Sequence, residues 1–294
     1  MHILIYMAKY IPDIQSHRWV ILAPGRLSKP KTAEKDYQLK QKNGLNYSPD
    51  CPFCPGNEHL TPDEIDSIKK DDSWLVRTFS NKYPITDIHE VIVHHRDHKK
   101  DIEDFSDKEI FDLITMYQKR INDLSKKGAT ILFRNKGFKA GTSIHHPHSQ
   151  IILLPEQINL ESLSLEPIKN IIMENESFLL YCPDFSQYPY EIWIVHKSCK
   201  GKELGQEALK EIRFTHFVEK ELLHLGLLLQ KSLRALTKQL GDFSYNYYIS
   251  PKPPFYLRII PRLLTRGGFE LGTGLSTNVV DPVSAAEELK KHIK

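Results

Sequence analysis

The sequence predicts an α+β fold made of two related halves, in which antiparallel sheets pack against helices. Three observations predict it. Short runs rich in β-branched and aromatic residues alternate with turn residues, each half contains a long segment of helical periodicity, and the order of these segments repeats. With 294 residues, of which 40% are hydrophobic and 26% charged, the chain has the composition of a globular protein with a large core.

The elements of the first half follow in chain order. RWVILAPGR, residues 18–26, predicts a strand that ends in a Pro-Gly turn, and the polar stretch 28–50 predicts a surface loop. Ser106 and Glu109 form a capping box that begins a helix, in which apolar residues recur at helical spacing until Gly128. The other strands predicted in this half are 74–79, 90–93, 129–134 and 148–154.

The second half, residues 161–294, repeats the plan of residues 1–160 in outline. It predicts a helix over residues 206–240. The strands predicted in this half are 178–182, 191–195, 243–249 and 255–260. We expect each half to place a helix against a mostly antiparallel sheet, and the two sheets to join across a pseudo-two-fold axis.

Charge and cysteine usage exclude several classes of protein. A net charge of +3 from 40 basic and 37 acidic side chains implies no dense cationic surface for nucleic acid. The N-terminal apolar run is short and lacks a basic region and a cleavage site, which argues against a signal peptide or a membrane span. Four cysteines do not form a disulfide framework, so we expect a cytoplasmic protein.

The segment Cys51-Pro52-Phe53-Cys54 places two thiols on a tight turn, as in pairs that chelate a tetrahedral metal ion. The alternatives are two incidental thiols or a thioredoxin-like redox pair, and the absence of a surrounding βαβ pattern disfavours the redox pair. Further ligands would be histidines, one from each of two segments, in a closed structural Cys₂His₂ site. The candidates are His94, His95 and His98 in HHRDH and His145, His146 and His148 in HHPH.

His146 and His148 are two residues apart in the segment HHPHSQII. In an extended strand both side chains point to the same face. A metal ion held by His146 would therefore position His148, because a reacting group needs rigid support.

A neutral imidazole can displace the leaving group at an α-phosphorus, and His148 is the candidate nucleophile. Gln150 lies on the same strand face and can donate a hydrogen bond to a phosphate oxygen without adding negative charge. The alternative to a catalytic site is that the histidines lie at the surface and that Gly-Thr-Ser is an ordinary turn. Further candidate phosphate contacts are Gly141, Thr142, Ser143, Asn135 and Arg26.

Nearly the whole chain resembles the galactose-1-phosphate uridylyltransferase family of the histidine-triad superfamily, close to its ADP-glucose phosphorylase branch. The resemblance is most specific around His148. The segments that carry it are RWVILAPGR, SPDCPFCPGNE, RTFSNKYP, HEVIVHHRDH, RNKGFKAGTSIHHPHSQIILLP, PYEIWIVHK and PRLLTRGGFELGTG.

The resemblance implies tandem histidine-triad-like halves and a homodimer. It implies that His148 is the residue that becomes uridylylated and that Arg26 lies near the sugar phosphate. It also implies a structural zinc ion bound by Cys51, Cys54, His98 and His146. Phosphate contacts are implied for Gln150, Ser143 and Asn135, and nucleoside contacts for Phe79, Asn81 and Lys82.

The sequence departs from the family pattern in the second half. The uridylyltransferases carry a second metal site made of a glutamate and three histidines, where this chain has Tyr256-Leu257-Arg258 and Ser250, so we expect that site to be absent. Lys82 stands where some relatives have an acidic residue for the ribose hydroxyls. The ending GFELGTG resembles the shorter prokaryotic transferases and the phosphorylase branch.

The function implied by the resemblance is transfer of UMP from UDP-glucose to galactose 1-phosphate in two steps, with no catalytic metal. The alternative within the family is a nucleoside-diphosphate-sugar phosphorylase that uses inorganic phosphate as acceptor. A non-catalytic nucleotide-binding protein on the same fold is an alternative from another class. An enzyme acting on nucleic-acid ends is disfavoured by the charge balance.

Overall fold

The computed structural model describes residues 8–13, 18–29, 46–155, 158, 165, 167–200, 206–250 and 252–293. The strands in chain order are β1 (Lys9–Asp13), β2 (Arg18–Leu22), β3 (Glu64–Lys70), β4 (Ser73–Ser80), β5 (His89–Val93), β6 (Ala129–Lys136), β7 (His148–Leu154), β8 (Ile171–Glu174), β9 (Phe178–Tyr181), β10 (Ile192–His196), β11 (Tyr245–Ile249) and β12 (Tyr256–Pro261). The α-helices are α1 (Asp107–Ser125), α2 (Gln206–Lys210), α3 (Glu219–Leu240), α4 (Gly268–Thr273) and α5 (Pro282–Lys290).

Ten of the strands form one antiparallel sheet in the order β3-β4-β5-β7-β6-β11-β12-β10-β9-β8. The β6–β11 pair lies at its centre, and the strands on either side correspond in chain order. This topology confirms the prediction of an α+β fold with tandem antiparallel halves. The predicted boundary between residues 160 and 161 falls outside the described residues and stays a prediction.

Helices α1 and α3 pack against each other and contribute to the main core with the central strands. The approach is close at Gly226, where a Cβ atom would lie 2.9 Å from Cγ1 of Ile110. The capping box at the start of α1 is present as predicted, because the Ser106 hydroxyl accepts from the Glu109 N–H and the Glu109 carboxylate accepts from the Ser106 N–H. None of the helices in the described ranges is both long and apolar enough to span a bilayer.

The predicted helix over residues 206–240 is wrong as a single element. The chain forms α2 and α3, with a 3₁₀ turn at Phe214–His216 between them. Phe214 and Phe217 turn into the core and pack against Phe255, and the side chain of Gln118 donates to both of their carbonyl oxygens. Helix α3 then begins after Val218, whose N–H donates to Glu221.

Most other predicted strands are present with small shifts at their ends. The first is shorter than predicted, because Arg18–Leu22 is followed by a 3₁₀ turn at Pro24–Ser28. The predicted loop 28–50 lies largely outside the described residues. Strand β3, EIDSIKK, was not predicted, since it is polar and lies at the edge of the sheet, where burial imposes no clear alternation of apolar side chains.

Candidate active site and metal centre

The four predicted metal ligands lie together at one end of the first half. Their ligand atoms are all within 4.8 Å of one another. Nδ1 of His146 is 3.7 Å from Sγ of Cys51 and 3.6 Å from Sγ of Cys54, and Nδ1 of His98 is 3.4 Å from Sγ of Cys54. Tetrahedral coordination with ordinary zinc bond lengths places sulfur and nitrogen ligands about 3.5 Å apart. The cluster therefore has the dimensions of a Cys₂His₂ metal site.

The turn that carries the two thiols is shaped by backbone hydrogen bonds. The Cys54 N–H donates to the Cys51 carbonyl oxygen, and the Asn57 N–H donates to the Cys54 carbonyl oxygen. The buried side chain of Asn57 donates to the carbonyl oxygens of Pro49 and Cys51, both at 2.9 Å. The Ser48 N–H points at Sγ of Cys54, 3.4 Å away.

His146 is oriented by a second contact. Its Nε2 lies 2.7 Å from the backbone carbonyl oxygen of His95, so Nε2 carries the proton and Nδ1 faces the thiols. The remaining candidates from HHRDH lie elsewhere. The His95 ring contacts the Glu109 carboxylate at 3.0 Å, and the His94 ring contacts Ser149 at 2.8 Å.

His148 begins strand β7 and is buried, with a relative exposure of 7%. Its Nδ1 lies 2.9 Å from the His146 carbonyl oxygen, and its ring packs against the edge of Phe53 with centroids 5.1 Å apart. Burial lowers the pKa of His148 to about 4, and the positive charges of Arg134 and Lys29 add to this effect. The imidazole is therefore neutral at physiological pH.

The opposite face of β7 is held by a buried network of hydroxyl groups. Ser149 contacts the hydroxyls of Tyr117 and Tyr247 at 2.5 and 3.2 Å, and the two tyrosine hydroxyls are 2.7 Å apart. The His94 ring completes the network, 2.9 Å from Tyr117. The strand of His148 is thus tied to helix α1 and, through Tyr247, to the second half.

Gln150 follows His148 on the same face and is also buried. Its Oε1 lies 3.0 Å from Nε2 of His89 and 3.3 Å from Nδ2 of Asn81. The Asn81 N–H donates to the His89 carbonyl oxygen, and Oδ1 of Asn81 accepts from the Tyr83 N–H. The structure therefore brings two predicted residues together around His89, which was not predicted.

The predicted sugar and nucleoside contacts occupy different environments. Arg26 lies on the 3₁₀ turn after β2 and donates to the Tyr83 carbonyl oxygen at 2.7 Å. Tyr83 is two residues after Asn81 in the sequence. Lys82 is exposed in the segment between β4 and β5. Phe79 is almost fully buried and packs against Phe53 with centroids 5.5 Å apart, so it supports the residue that touches His148.

The loop before β7 is anchored to the second half. The Asn246 side chain donates to Oδ1 of Asn135 at 2.8 Å, and these two residues face each other across the central β6–β11 pair. Gly141 has φ +81°, and the Thr142 hydroxyl donates to the backbone carbonyl two residues on. Ser143 follows within this loop, so the predicted Gly-Thr-Ser turn precedes the strand of His148.

At the positions where the uridylyltransferases carry the second metal site, which we expect to be absent here, Arg258 forms a buried ion pair with Glu191, at 2.7 Å between Nε and Oε1 and 2.9 Å between Nη2 and Oε2. The Ser250 hydroxyl contacts the Tyr256 N–H, at 3.1 Å. Within the described residues, the Cys₂His₂ cluster is the group of histidine, cysteine and carboxylate side chains placed to hold a metal ion. The guanidinium of Arg258 already neutralises the carboxylate of Glu191.

Comparison with known proteins finds similar sequences and a similar fold. Residues 35–157 match the family described as Domain of unknown function (DUF4931) N-terminal domain. ADP-glucose phosphorylase of Arabidopsis thaliana is 28% identical over 95% of this chain and 91% of its own, and galactose-1-phosphate uridylyltransferase of Thermotoga maritima is 24% identical over 93% and 95%. The crystal structure of an Arabidopsis thaliana ADP-glucose phosphorylase with bound ADP-glucose superposes with a TM-score of 0.71 at 25% identity, covering 97% of this chain and 99% of that one.

The chain resembles the galactose-1-phosphate uridylyltransferase family over nearly its whole length. These relatives are nucleotidyltransferases and a phosphorylase, which supports an enzyme of one of these two kinds, and the similarity does not separate the two activities.

Several residues around the site were not predicted from the sequence. Asn57 supports the thiol turn, Phe53 contacts His148, and Asn246 and His89 hold predicted site residues. Lys29 adds positive charge near His148. Phe53 and Asn57 lie within SPDCPFCPGNE, and His89 begins HEVIVHHRDH, but no pattern in these segments indicated their contacts. Asn246 and Lys29 lie outside the quoted segments and become neighbours of the site through folding.

Proposed function

We propose that the chain transfers UMP from UDP-glucose to galactose 1-phosphate through a covalent nucleotidyl-His148 intermediate. The observation that carries the proposal is the tautomer of His148. Its Nδ1 lies 2.9 Å from the carbonyl oxygen of His146, which can only accept, so Nδ1 holds the proton and Nε2 holds the lone pair. Because burial lowers the pKa of His148 to about 4, that lone pair is available at neutral pH.

The two steps balance without a general base. The Nε2 lone pair attacks the α-phosphorus, an N–P bond forms, the bond from phosphorus to the bridging oxygen breaks, and the sugar 1-phosphate leaves with that electron pair. The imidazole becomes cationic, and the Nδ1–H donated to the His146 carbonyl oxygen stabilises this charge. A phosphate oxygen of the acceptor then attacks the phosphorus, and His148 leaves as a neutral imidazole.

We propose zinc as the metal of the Cys₂His₂ cluster. Two thiolates and two imidazoles at tetrahedral spacing suit this ion and leave no open position for a substrate. When bound, it would supply a rigid link between the thiol turn and His146. The role is structural, since the carbonyl group of the same residue orients His148.

A phosphorylase is the second candidate. Similarity over nearly the whole length to an ADP-glucose phosphorylase favours it. The first step would be the same with ADP-glucose as donor, and inorganic phosphate would replace the hexose 1-phosphate as acceptor. Both proposals therefore use His148 as the nucleophile. They differ in the nucleobase of the donor and in the acceptor.

The test is to incubate the protein with radiolabelled UDP-glucose or ADP-glucose without acceptor and to look for a nucleotidyl adduct by intact mass. We expect an adduct in the wild-type protein and in His59→Asn, which changes an exposed histidine, and none in His148→Asn. Adding galactose 1-phosphate or inorganic phosphate to the isolated adduct identifies the acceptor. An adduct in His148→Asn would refute the nucleophile, and an adduct formed from ADP-glucose alone would replace uridylyl transfer with the phosphorylase.

The family resemblance also leads us to propose a homodimer. Exposed apolar side chains in the C-terminal segment support it, among them Phe269, Leu271 and Leu275. Light scattering would give the mass in solution, and Leu271→Asp with Leu275→Asp should shift it toward 34.1 kDa. A wild-type mass of one chain would refute the dimer.

A further inference from the structure

The amide group of Gln150 has two possible orientations, and they differ in what they offer a phosphate. If Oε1 faces the protein, the Nε2 amino group is left to donate to a ligand. If the amide is reversed, its oxygen would meet the negatively charged phosphate. The orientation therefore decides whether Gln150 attracts or repels the substrate.

A backbone N–H settles the tautomer of the neighbouring histidine. The N–H of Ile85 lies 3.0 Å from Nδ1 of His89. A backbone N–H can only donate, so Nδ1 accepts and the single proton of the neutral ring is on Nε2. Burial lowers the pKa of His89 to about 3, which keeps the ring neutral at physiological pH.

The protonated Nε2 of His89 must then meet an acceptor. It lies 3.0 Å from the Gln150 side chain, so the atom at this position is the oxygen Oε1. Asn81 adds a second constraint, because its Oδ1 accepts from the Tyr83 N–H and its Nδ2 is turned toward the same oxygen at 3.3 Å. Two donors occupy the two lone pairs of Oε1.

We propose that His89 is a positioning residue for nucleotidyl transfer, which holds Gln150 so that its amide N–H groups meet the α-phosphate. This inference rests on the proposed function. Gln150 shares a strand face with His148, so its donors are on the side where the phosphorus would be attacked. Donors fixed before the reaction stabilise the charge on the phosphate oxygens without reorganisation.

The second half provides an independent observation. The β10–β12 pair of the second half corresponds to the β5–β7 pair of the first half. Val93 pairs with His148 in the first half, and Val195 pairs with Tyr256 at the equivalent position in the second half. His89 and Gln150 then correspond to Glu191 and Arg258, counted from these pairs. Glu191 and Arg258 form a direct ion pair, with 2.7 Å between Oε1 and Nε. The side chains at these two positions are therefore in contact in both halves, and in the first half the contact orients the Gln150 amide.

The test is a double-mutant cycle between positions 89 and 150. His89→Phe keeps a ring beside Phe133 but removes both nitrogens, whereas His89→Gln keeps a donor and an acceptor. The rate constant of adduct formation is measured in single turnovers at saturating nucleotide sugar, together with the donor Kd, bound zinc and the unfolding temperature. We expect H89F to slow the step about 10- to 100-fold, less than the about 10²- to 10³-fold typical of losing a direct donor.

In the Gln150→Ala background, H89F should have less than about a twofold effect, because Gln150 is the group through which His89 acts. H89Q should recover most of the rate. Equal losses from H89F with and without Gln150 would overturn the inference while leaving the proposed function intact. No adduct in the wild-type protein would instead overturn the proposed function and the catalytic role of His89 with it.

A second measurement needs no variant. Long-range ¹H–¹⁵N correlation spectra of histidine-labelled protein report which ring nitrogen carries the proton. The expected result is a neutral His89 ring protonated at Nε2, and a proton on Nδ1 would overturn the inference whatever the activity. This spectroscopic test of the His89 tautomer can be made even if H89F is too unstable to purify.

Discussion

The carbonyl oxygen of His146 lies 2.9 Å from Nδ1 of His148, while Nδ1 of the His146 ring faces the thiols of the metal cluster. One residue therefore connects the metal cluster to the candidate nucleophile through a single peptide unit. If the cluster loosens, the acceptor that selects the tautomer of His148 moves with it.

Cys54→Ser should therefore reduce adduct formation although Cys54 has no place in the chemistry. We expect loss of bound zinc, a lower unfolding temperature, and a rate constant of adduct formation lowered at least about 10-fold. Atomic absorption and single-turnover kinetics would measure these effects. Cys182→Ser is the control, because Cys182 is buried in the second half. Wild-type rates in a zinc-free C54S protein would contradict the structural role of the cluster.

The fold and the grouping of residues around His148 could be predicted because they depend on local patterns. The alternation around His148 predicted His146, His148 and Gln150 on one face, and the paired cysteines predicted a metal site. The strands that were missed are short or polar edge strands, such as β3 and β8, in which alternation is weak. A local pattern also misled where tertiary packing overrode it, as at Phe214 in the predicted long helix.

His89 could not be predicted for a different reason. Its contact with Gln150 depends on the register between β5 and β7, and its tautomer depends on a backbone N–H four residues earlier. The same holds for Asn246, which reaches Asn135 only because β6 and β11 pair at the centre of the sheet. Register follows from the whole sheet, and a single strand sequence does not contain it.

Gly137 is expected to be the more sensitive of two glycines in the loop before β7. It has φ +83°, and a Cβ atom would lie 2.2 Å from the Ser244 hydroxyl oxygen and 3.1 Å from the Ser244 Cα. Gly141 has φ +81° with nothing within 4 Å of a Cβ atom. Gly141→Ala should therefore cost about 1–2 kcal/mol of unfolding free energy from backbone strain alone. Gly137→Ala should cost more, about 2–4 kcal/mol.

Urea unfolding of the two alanine variants would measure this difference. The backbone strain differs between the two sites, because Gly137 has ψ 163° and Gly141 has ψ 21°. The contact with Ser244 is therefore measured by removing the Ser244 side chain, not by the difference between the two glycines. A Gly137→Ala, Ser244→Gly double variant should recover part of the loss. No recovery in the double variant would mean that the loop does not pack against Ser244 in solution.

Glu191→Gln should strongly destabilise the second half. Glu191 is almost fully buried, and the charge it pairs with, Arg258, is buried as well. Burial lowers the pKa of Arg258, and the carboxylate of Glu191 more than offsets this effect. The arginine would stay charged without its partner, because a guanidinium is not deprotonated in proteins. Leaving such a charge unpaired costs about 3–5 kcal/mol.

Urea unfolding would measure this loss, and Glu174→Gln is the matched control. Glu174 pairs with Lys197 on the surface, where such pairs contribute about 0–1 kcal/mol. Bound zinc should stay unchanged in both variants, since the metal ligands lie in the first half. A loss below about 1 kcal/mol in Glu191→Gln would show that Gln187 and Tyr248, which already accept from Arg258, or water compensate for the lost carboxylate.

His89 should make the stability of the protein depend on pH. Burial lowers its pKa from 6.5 to about 3, so the unfolded chain binds a proton that the native state does not bind between these values. The free energy of unfolding therefore falls as the pH is lowered below 6.5, by up to about 1.4 kcal/mol per pH unit for this proton.

The His89→Gln variant cannot take up the proton, so its unfolding free energy should fall less steeply between pH 6 and pH 4.5. The difference in slope corresponds to about one fewer proton taken up on unfolding. Urea unfolding across this range would compare the two proteins, and the other buried histidines contribute equally to both. Parallel pH dependence would mean that His89 is protonated in the native state, which is incompatible with the Ile85 N–H donating to its Nδ1.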